Sequence, residues 1–163
     1  MSAPKSSVTV RLATGDDAEN ITALINLAFG IAESFFIEDA RVTLEGVVEY
    51  LNSGEFLLAE EDDKLIGCVY LEPRGDRTYL GLLSVDPNLQ KSGIGSLLMT
   101  EAEERWRAQD AKYMDILTVN LREDLPGFYR KRGYIETGTS PFPADIETKL
   151  PCHFVHMSKR LDE

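Results

Sequence analysis

The chain is poor in the residues that carry metal, redox and nucleic-acid chemistry. Among 163 residues there are two cysteines and two histidines. Cys68 and Cys152 lack metal-ligand spacing, and each stands among strand-forming residues. Both read as buried thiols in a reducing, cytoplasmic setting rather than as a disulfide. His153 and His156 are three apart on a predicted strand and face opposite sides, so they are poor joint ligands. No metal is expected. No apolar run reaches the length of a membrane span, and no membrane partner is expected. The first seven residues lack the apolar core of a signal sequence. The expected organisation is a flexible N-terminus over 1–7 and one domain over 8–163, without repeats or linkers, and long enough to bury a proper core.

Cations are also scarce: 17 Lys and Arg face 28 Asp and Glu, a net charge of −11. Binding nucleic-acid phosphates needs clustered cations, so this balance argues against that partner. The excess is uneven, with 15 acids against 6 cations in residues 1–80 and 13 against 11 in residues 81–163. An acidic N-terminal half attracts a cationic acceptor such as an amine. Ordinary solubility charge reads the same way.

The informative stretch is 82–98, Leu-Leu-Ser-Val-Asp-Pro-Asn-Leu-Gln-Lys-Ser-Gly-Ile-Gly-Ser-Leu-Leu. Residues 78–85 read as a strand stopped by Asp86-Pro87. Beyond a short loop, Ile94, Leu97, Leu98, Ala102 and Trp106 recur at helical spacing through about Asp110. Gly93 and Gly95 let the backbone approach a ligand. The first two helical turns carry no carboxylate, the first being Glu101, although helix starts usually favour acids. Free N–H groups at a helix start, beside Lys91 and with no acid nearby, suit phosphate. A plain strand–turn–helix connection is the alternative. The dinucleotide fingerprint fails at Leu98, and a Walker loop fails at Ser96-Leu97.

Gln90-Lys91-Ser92-Gly93-Ile94-Gly95 resembles the Gln/Arg-x-x-Gly-x-Gly/Ala signature of the GNAT superfamily, the acyl-CoA-dependent N-acyltransferases. Ser84-Val85-Asp86-Pro87 resembles the strand end that precedes that family's loop. Phe128-Tyr129-Arg130-Lys131-Arg132-Gly133-Tyr134 is similar to its Y-x-x-x-G-[FY] segment. The remaining elements come in matching order. They are a strand at 8–12, a helix ending near Gly30 (Ile21, Leu24, Ile25 and Ala28 sharing a face), a loop at 31–42, and a helix capped by Thr43 with Leu44, Val47, Val48 and Leu51 inward. A hairpin at 56–60 and 64–72 follows. After the long helix come a strand at 113–119, a short helix from Asp124 and Pro126 to Gly133, and strands at 134–137 and 152–160. The resemblance implies an α/β fold with a mixed, mostly antiparallel sheet of about seven strands flanked by helices.

It also implies acetyl-CoA as the acyl donor and an amine of a small molecule or peptide as the acceptor. Transfer would be direct, in a ternary complex, since no Cys or Ser sits in a nucleophile motif. Leu83, Ser84 and Val85 would pair by backbone with the pantetheine arm. Backbone N–H groups from Lys91 through Ser92, Gly93, Ile94 and Gly95 to Ser96 would hold the pyrophosphate, with Gln90 in the signature and Phe128 in the second segment. Asn120 would contact the pantetheine, or simply end its strand. Tyr129 would face the thioester sulfur. A phenol near pKa ~10 donates to a thiolate near ~8.5 at a cost of about 2 kcal/mol, so a hydrogen bond suffices. Its alternative is a core tyrosine.

The general base is less legible. An alkylamine near pKa ~10.4 is neutral in about 1 part in 2,500 at pH 7, a cost of roughly 4–5 kcal/mol. Many family members place a carboxylate early in the strand before the loop, whereas this chain reads Thr78-Tyr79-Leu80-Gly81. Glu33, in the expected loop beside Phe35 and Phe36, is the acceptor-side candidate, with a solvated loop glutamate as the alternative. The segment 138–151, with Pro141-Phe142-Pro143, is expected to border the acceptor site. Without a strand acid, a non-catalytic acyl-CoA sensor stays open, and so does a homodimer as the assembly state.

Overall fold

The computed structural model describes residues 7–90 and 92–162. The expected flexible N-terminus, apart from Ser7, lies outside these residues, and so does Lys91. The elements are β1 (Val8–Leu12), α1 (Ala18–Glu33), α2 (Leu44–Ser53), β2 (Glu55–Glu61), β3 (Lys64–Arg74), β4 (Arg77–Val85), α3 (Ile94–Arg107), β5 (Tyr113–Val119), α4 (Leu125–Lys131), β6 (Ile135–Pro141) and β7 (His153–Arg160). One seven-stranded sheet runs in the order β1-β2-β3-β4-β5-β7-β6. Neighbours are antiparallel except β4 and β5. This is the mixed, helix-flanked sheet expected from the sequence. No described helix is long and apolar enough to cross a membrane.

Local chemistry explains most of the path. The β2–β3 turn places Asp62 and Asp63 at φ 52° and 63°, a conformation that Asp tolerates better than most residues. Thr43 caps α2 by accepting Gly46 N–H at 3.0 Å. The sheet carries a core on each face. On one, α3 packs Leu98, Met99 and Ala102 over Leu80, Met114, Tyr129 and Tyr134. On the other, Ile21, Ile25 and Val47 cover Phe56, Leu58, Cys68 and Tyr70. Both cysteines are free; Cys68 is buried, which pushes its thiol up to about 12, whereas Cys152, just ahead of β7, is only half-buried and not the buried thiol expected.

Four details differ from the sequence reading. The first helix continues past Gly30 to Glu33, because a Cβ at Gly30 would meet nothing and the apolar stripe persists. It ends where Glu33 C=O accepts from both Phe36 and Ile37 N–H at 3.0 Å. Helix α3 stops at Arg107, short of Asp110, whose φ of 64° marks the turn. On α2 only Val47 is fully inward, while Leu44 and Val48 are each 44% exposed, because so short a helix packs along one narrow stripe. Strand β6 takes in 138–141, residues assigned to a connection by sequence. A register shift between Glu136 and Gly138 breaks its alternation, which hides it.

The feature with most bearing on the site is a bulge in β4. Ser84 opposes Cys68 and Gly81 opposes Tyr70, so Leu82 and Leu83 together face Val69. Leu82 takes φ 53°, a strained value for leucine. No sequence signal marked it.

Candidate active site

Strands β4 and β5 pair for only four residues, from Arg77↔Tyr113 to Leu80↔Ile116. Beyond that point β4 stays with β3 as far as Val85↔Gly67, and β5 stays with β7 as far as Val119↔Phe154. The two parallel strands therefore splay, and the β4 edge past Leu80 has no strand partner on that side. A cavity of about 1030 Å³ occupies the opening. Its walls include Leu82, Leu83, Ser84 and Val85 from β4, and Leu117, Thr118 and Val119 from β5. Thr118 is buried in that wall, and its Oγ1 has no partner among the described residues. Unpaired buried hydroxyls are costly, so a ligand able to meet Thr118 fits here.

The loop after β4 is held by its own polar groups. Asp86 N–H donates to Ile66 C=O at 2.8 Å, and Asp86 Oδ1 accepts from Asn88 N–H at 2.9 Å. Gln90 Nε2 donates to Val85 C=O at 3.0 Å, tying the loop back to the strand end. Gly93 caps α3 at φ 89°, where a side chain would be strained. The first helical bond is Leu97 N–H to Gly93 C=O at 2.9 Å, which leaves the N–H groups of Ile94, Gly95 and Ser96 without intrahelical partners. No acid lies in the first turn of α3, while Arg105 and Arg107 stand in the last. A Cβ at Gly95 would make only ordinary contacts, 3.7 Å to Phe128 and 3.8 Å to Val85. Internal packing therefore does not demand that glycine; the open wedge faces the cavity.

Tyr129 lines the same cavity from α4, 4% exposed, with edge contacts to Phe128 and Tyr134 at ring separations of 5.3 and 5.9 Å. Burial raises its phenol above the ordinary range while the Arg122 charge pulls the other way, so the hydroxyl keeps its proton at neutral pH. Glu33 reaches the cavity from the last turn of α1 and is buried, contrary to a solvated loop position. Its Oε2 accepts from Arg122 Nη1 at 2.9 Å, and Oε1 receives no hydrogen bond among the described residues. Arg122 also clamps Asp124, through Nε at 3.1 Å and Nη2 at 3.0 Å. Burial raises the Glu33 carboxyl above the usual carboxylate range, and the shared guanidinium only partly offsets this.

Of the residues singled out by sequence, Glu33, Leu83, Ser84, Val85, Gln90, Gly93, Ile94, Gly95, Ser96, Phe128 and Tyr129 gather around this cavity. Two do not line it. Ser92 is exposed and closes a local turn, its N–H and hydroxyl both donating to Leu89 C=O. Asn120 Oδ1 accepts from His153 N–H at 2.8 Å, and its own N–H donates to His153 C=O, so the side chain fastens β5 to β7. Sequence reasoning missed Arg122, Thr118, Arg41 and Tyr79. Arg122 meets Glu33 across 89 positions, and nothing local announces the pair. Tyr79 lies flat over its own strand: a Cβ on Gly81 would fall 2.6 Å from the Tyr79 hydroxyl. A Tyr-x-Gly spacing in a strand is the one signal that could have raised it.

Phe29, Ile31, Ile37, Phe142, Ile146 and Phe154 give the cavity apolar lining, beside the charged Asp39, Arg41 and Asp145. The segment after β6 is fastened there by Lys149, whose N–H donates to Phe36 C=O at 2.8 Å and whose Nζ donates to Ser34 C=O at 3.0 Å.

This geometry has close counterparts. A ribosomal-protein-alanine N-acetyltransferase from Brucella melitensis superposes with a TM-score of 0.76 at 21% identity, covering 93% of this chain and 99% of that one. The ribosomal-protein-S18-alanine N-acetyltransferase from Escherichia coli gives 0.77 at 11% identity, covering 96% of each. At these identities the likeness concerns the fold. By sequence, amino-acid acetyltransferases from Ectopseudomonas mendocina and Pseudomonas aeruginosa are 28% and 27% identical over 129 residues. The match takes in 77% of this chain but only 28% of their length. The sequence pattern described as the acetyltransferase (GNAT) domain matches residues 52–136, over half of the chain. That span runs from the end of α2 through the splayed strands, the glycine loop and Tyr129, and with it the chain belongs to the GNAT acetyltransferase family.

Proposed function

We propose that the chain transfers an acetyl group from acetyl-CoA directly to the amine of a small molecule or peptide, with both substrates bound together. The observation that carries this reading is the convergence of a splayed strand edge, a donor-rich helix start and a buried phenol on one cavity. Acetyl-CoA supplies an activated thioester, a long polar arm and a pyrophosphate, and the residues present fit each part. The unpaired β4 edge at Leu83, Ser84 and Val85, with Thr118 opposite, suits an extended amide-bearing arm. The N–H groups of Gly93, Ile94, Gly95 and Ser96 suit the pyrophosphate, with Gln90 and Phe128 shaping its approach.

Tyr129 is assigned to the departing sulfur. Its raised pKa favours a hydrogen bond over full proton transfer, because the phenol is the weaker acid of the two. Glu33 is assigned to the amine. A carboxylate raised by burial is a better base near neutral pH than a solvated one, and Oε1 is the oxygen left to accept the proton as nitrogen attacks the carbonyl carbon. The names of the relatives, amino-acid and alanine N-acetyltransferases, support an amine acceptor.

The test is release of free thiol from acetyl-CoA across a panel of amines, alongside coenzyme binding. Thiol release that falls in Tyr129→Phe is the expected result. Coenzyme binding without release for any acceptor would leave a sensor instead of an enzyme.

A further inference from the structure

Arg41 differs from every other arginine of the chain. Arg11, Arg74, Arg77, Arg105, Arg107, Arg122, Arg130, Arg132 and Arg160 each donate a hydrogen bond to another residue. Arg41 has neither hydrogen bond nor ion pair among the described residues, in a chain with a large excess of acids. Arg41 is exposed, and its guanidinium lies over the Phe29 ring, 5.4 Å from the centroid; both residues line the cavity. The segment carrying it is fixed: Val42 N–H donates to Asn26 Oδ1, and Asn26 Nδ2 donates to Val42 C=O, both at 2.9 Å. The Arg41 charge acts on both Glu33 and Tyr79, favouring their ionised forms. Asp39 and Asp145 line the same cavity.

Resting on the transfer reading above, we propose that the acceptor is an amino acid with an apolar side chain, whose carboxylate is bound by Arg41. The guanidinium fork matches a planar carboxylate. Phe29, Ile31, Ile37, Phe142 and Ile146 receive the side chain, and the ammonium arrives on the side of Glu33 and Asp39. Arg41 is thus a specificity-determining residue, and a bare amine leaves it unused.

The test is calorimetric titration of L-phenylalanine, L-leucine and L-methionine, and of their methyl esters, into protein saturated with coenzyme A, with thiol release measured in parallel. At least one free acid is expected to bind about 10- to 100-fold more tightly than its ester, the range of a charge-assisted hydrogen-bonded pair. Arg41→Gln is expected to bring that ratio close to one, and Arg41→Lys to restore part of it. Equal binding of acid and ester overturns the proposal, and so does no binding by any of the three. Arg41→Gln weakening acetyl-CoA instead of the amino acid overturns it as well. Arg41-dependent binding without thiol release would defeat the transfer reading alone. Release that ignores the carboxylate would defeat this proposal alone.

Discussion

Replacing Arg122 by methionine removes the partner of Glu33 while keeping most of the aliphatic bulk. The magnitude follows from exposure. The Arg122 and Glu33 side chains are 13% and 7% exposed, whereas Asp124 is 66% exposed. The Asp124 arm is a surface pair worth roughly 0.5 kcal/mol. Stranding Glu33 leaves a nearly buried carboxylate without its cation, at the low end of the 3–5 kcal/mol typical of broken buried pairs. A loss of about 3 kcal/mol at pH 7.5 is expected, or roughly 6–12 °C in Tm for a chain of this size. The sign of the pH dependence follows from linkage. The folded-state pKa of Glu33 is raised, and more so without Arg122. The protonated form is the better tolerated one, so the deficit is smallest below the unfolded value near ~4.3 and grows as pH rises through the folded value. Urea unfolding at pH 5 and 7.5 reads this directly, and Glu33→Gln added to Arg122→Met should recover part of the loss. A deficit below about 1 kcal/mol, or one flat with pH, or a double variant equal to the sum of the singles, would refute the assignment.

Tyr129→Phe should lower kcat about 100-fold, the low end expected for one lost donor to a developing charge, with acetyl-CoA binding retained; steady-state kinetics beside calorimetry separate the two. Gly95→Ala should raise Tm slightly, since alanine gains up to about 1 kcal/mol over glycine in a helix, yet weaken acetyl-CoA at least about tenfold, because its methyl fills the wedge facing the cavity. Unchanged coenzyme binding would remove Gly95 from the cradle. Asp17, held down to about 2 by the Arg11 guanidinium, contributes stability that is present above its unfolded value near ~3.9 and lost as pH falls through the folded value. Asp17→Asn should therefore cost about 1 kcal/mol at pH 6, discounted because Arg11 is 41% exposed, and progressively less as pH falls from about 4 through about 2, as measured by thermal unfolding.

Order and type of the elements were legible because periodicity and punctuation are local. Thr43 caps a helix, Asp62-Asp63 turns a hairpin, and Asp86-Pro87 ends a strand. The glycine-loop side of the cavity was legible for the same reason, since the loop and its helix are contiguous. The side built by α1 was less so: Glu33 and the segment after β6 were singled out, but not their partners. A solvated position was open for Glu33 because its partner, Arg122, lies 89 positions away in the connection between β5 and α4. No local signal marked Arg41, whose place beside Phe29 follows from the contact between α1 and the chain after it. Asn120 carried a polar side chain at a strand end, and only the position of β7 decided what that side chain would hold.

The bulge at Leu82 has a further consequence for inheritance of length. Upstream of it Leu80 packs with the α3 core and Tyr79 with the α1 core; downstream Leu83 and Val85 pack with the α3 core and Leu82 with the α1 core. Odd-numbered side chains thus change faces within one strand, so the bulge acts as a phase inverter. A single-residue deletion at Leu82 or Leu83 would put β4 back into simple alternation. Ser84 would stay opposite Cys68 and Val85 would stay on the α3 face, so the deletion would remove the kink without turning the segment over. The bulge is therefore a spare residue: its loss leaves the faces on both sides matched, whereas a further insertion there would turn the segment leading into the glycine loop over by half a pleat.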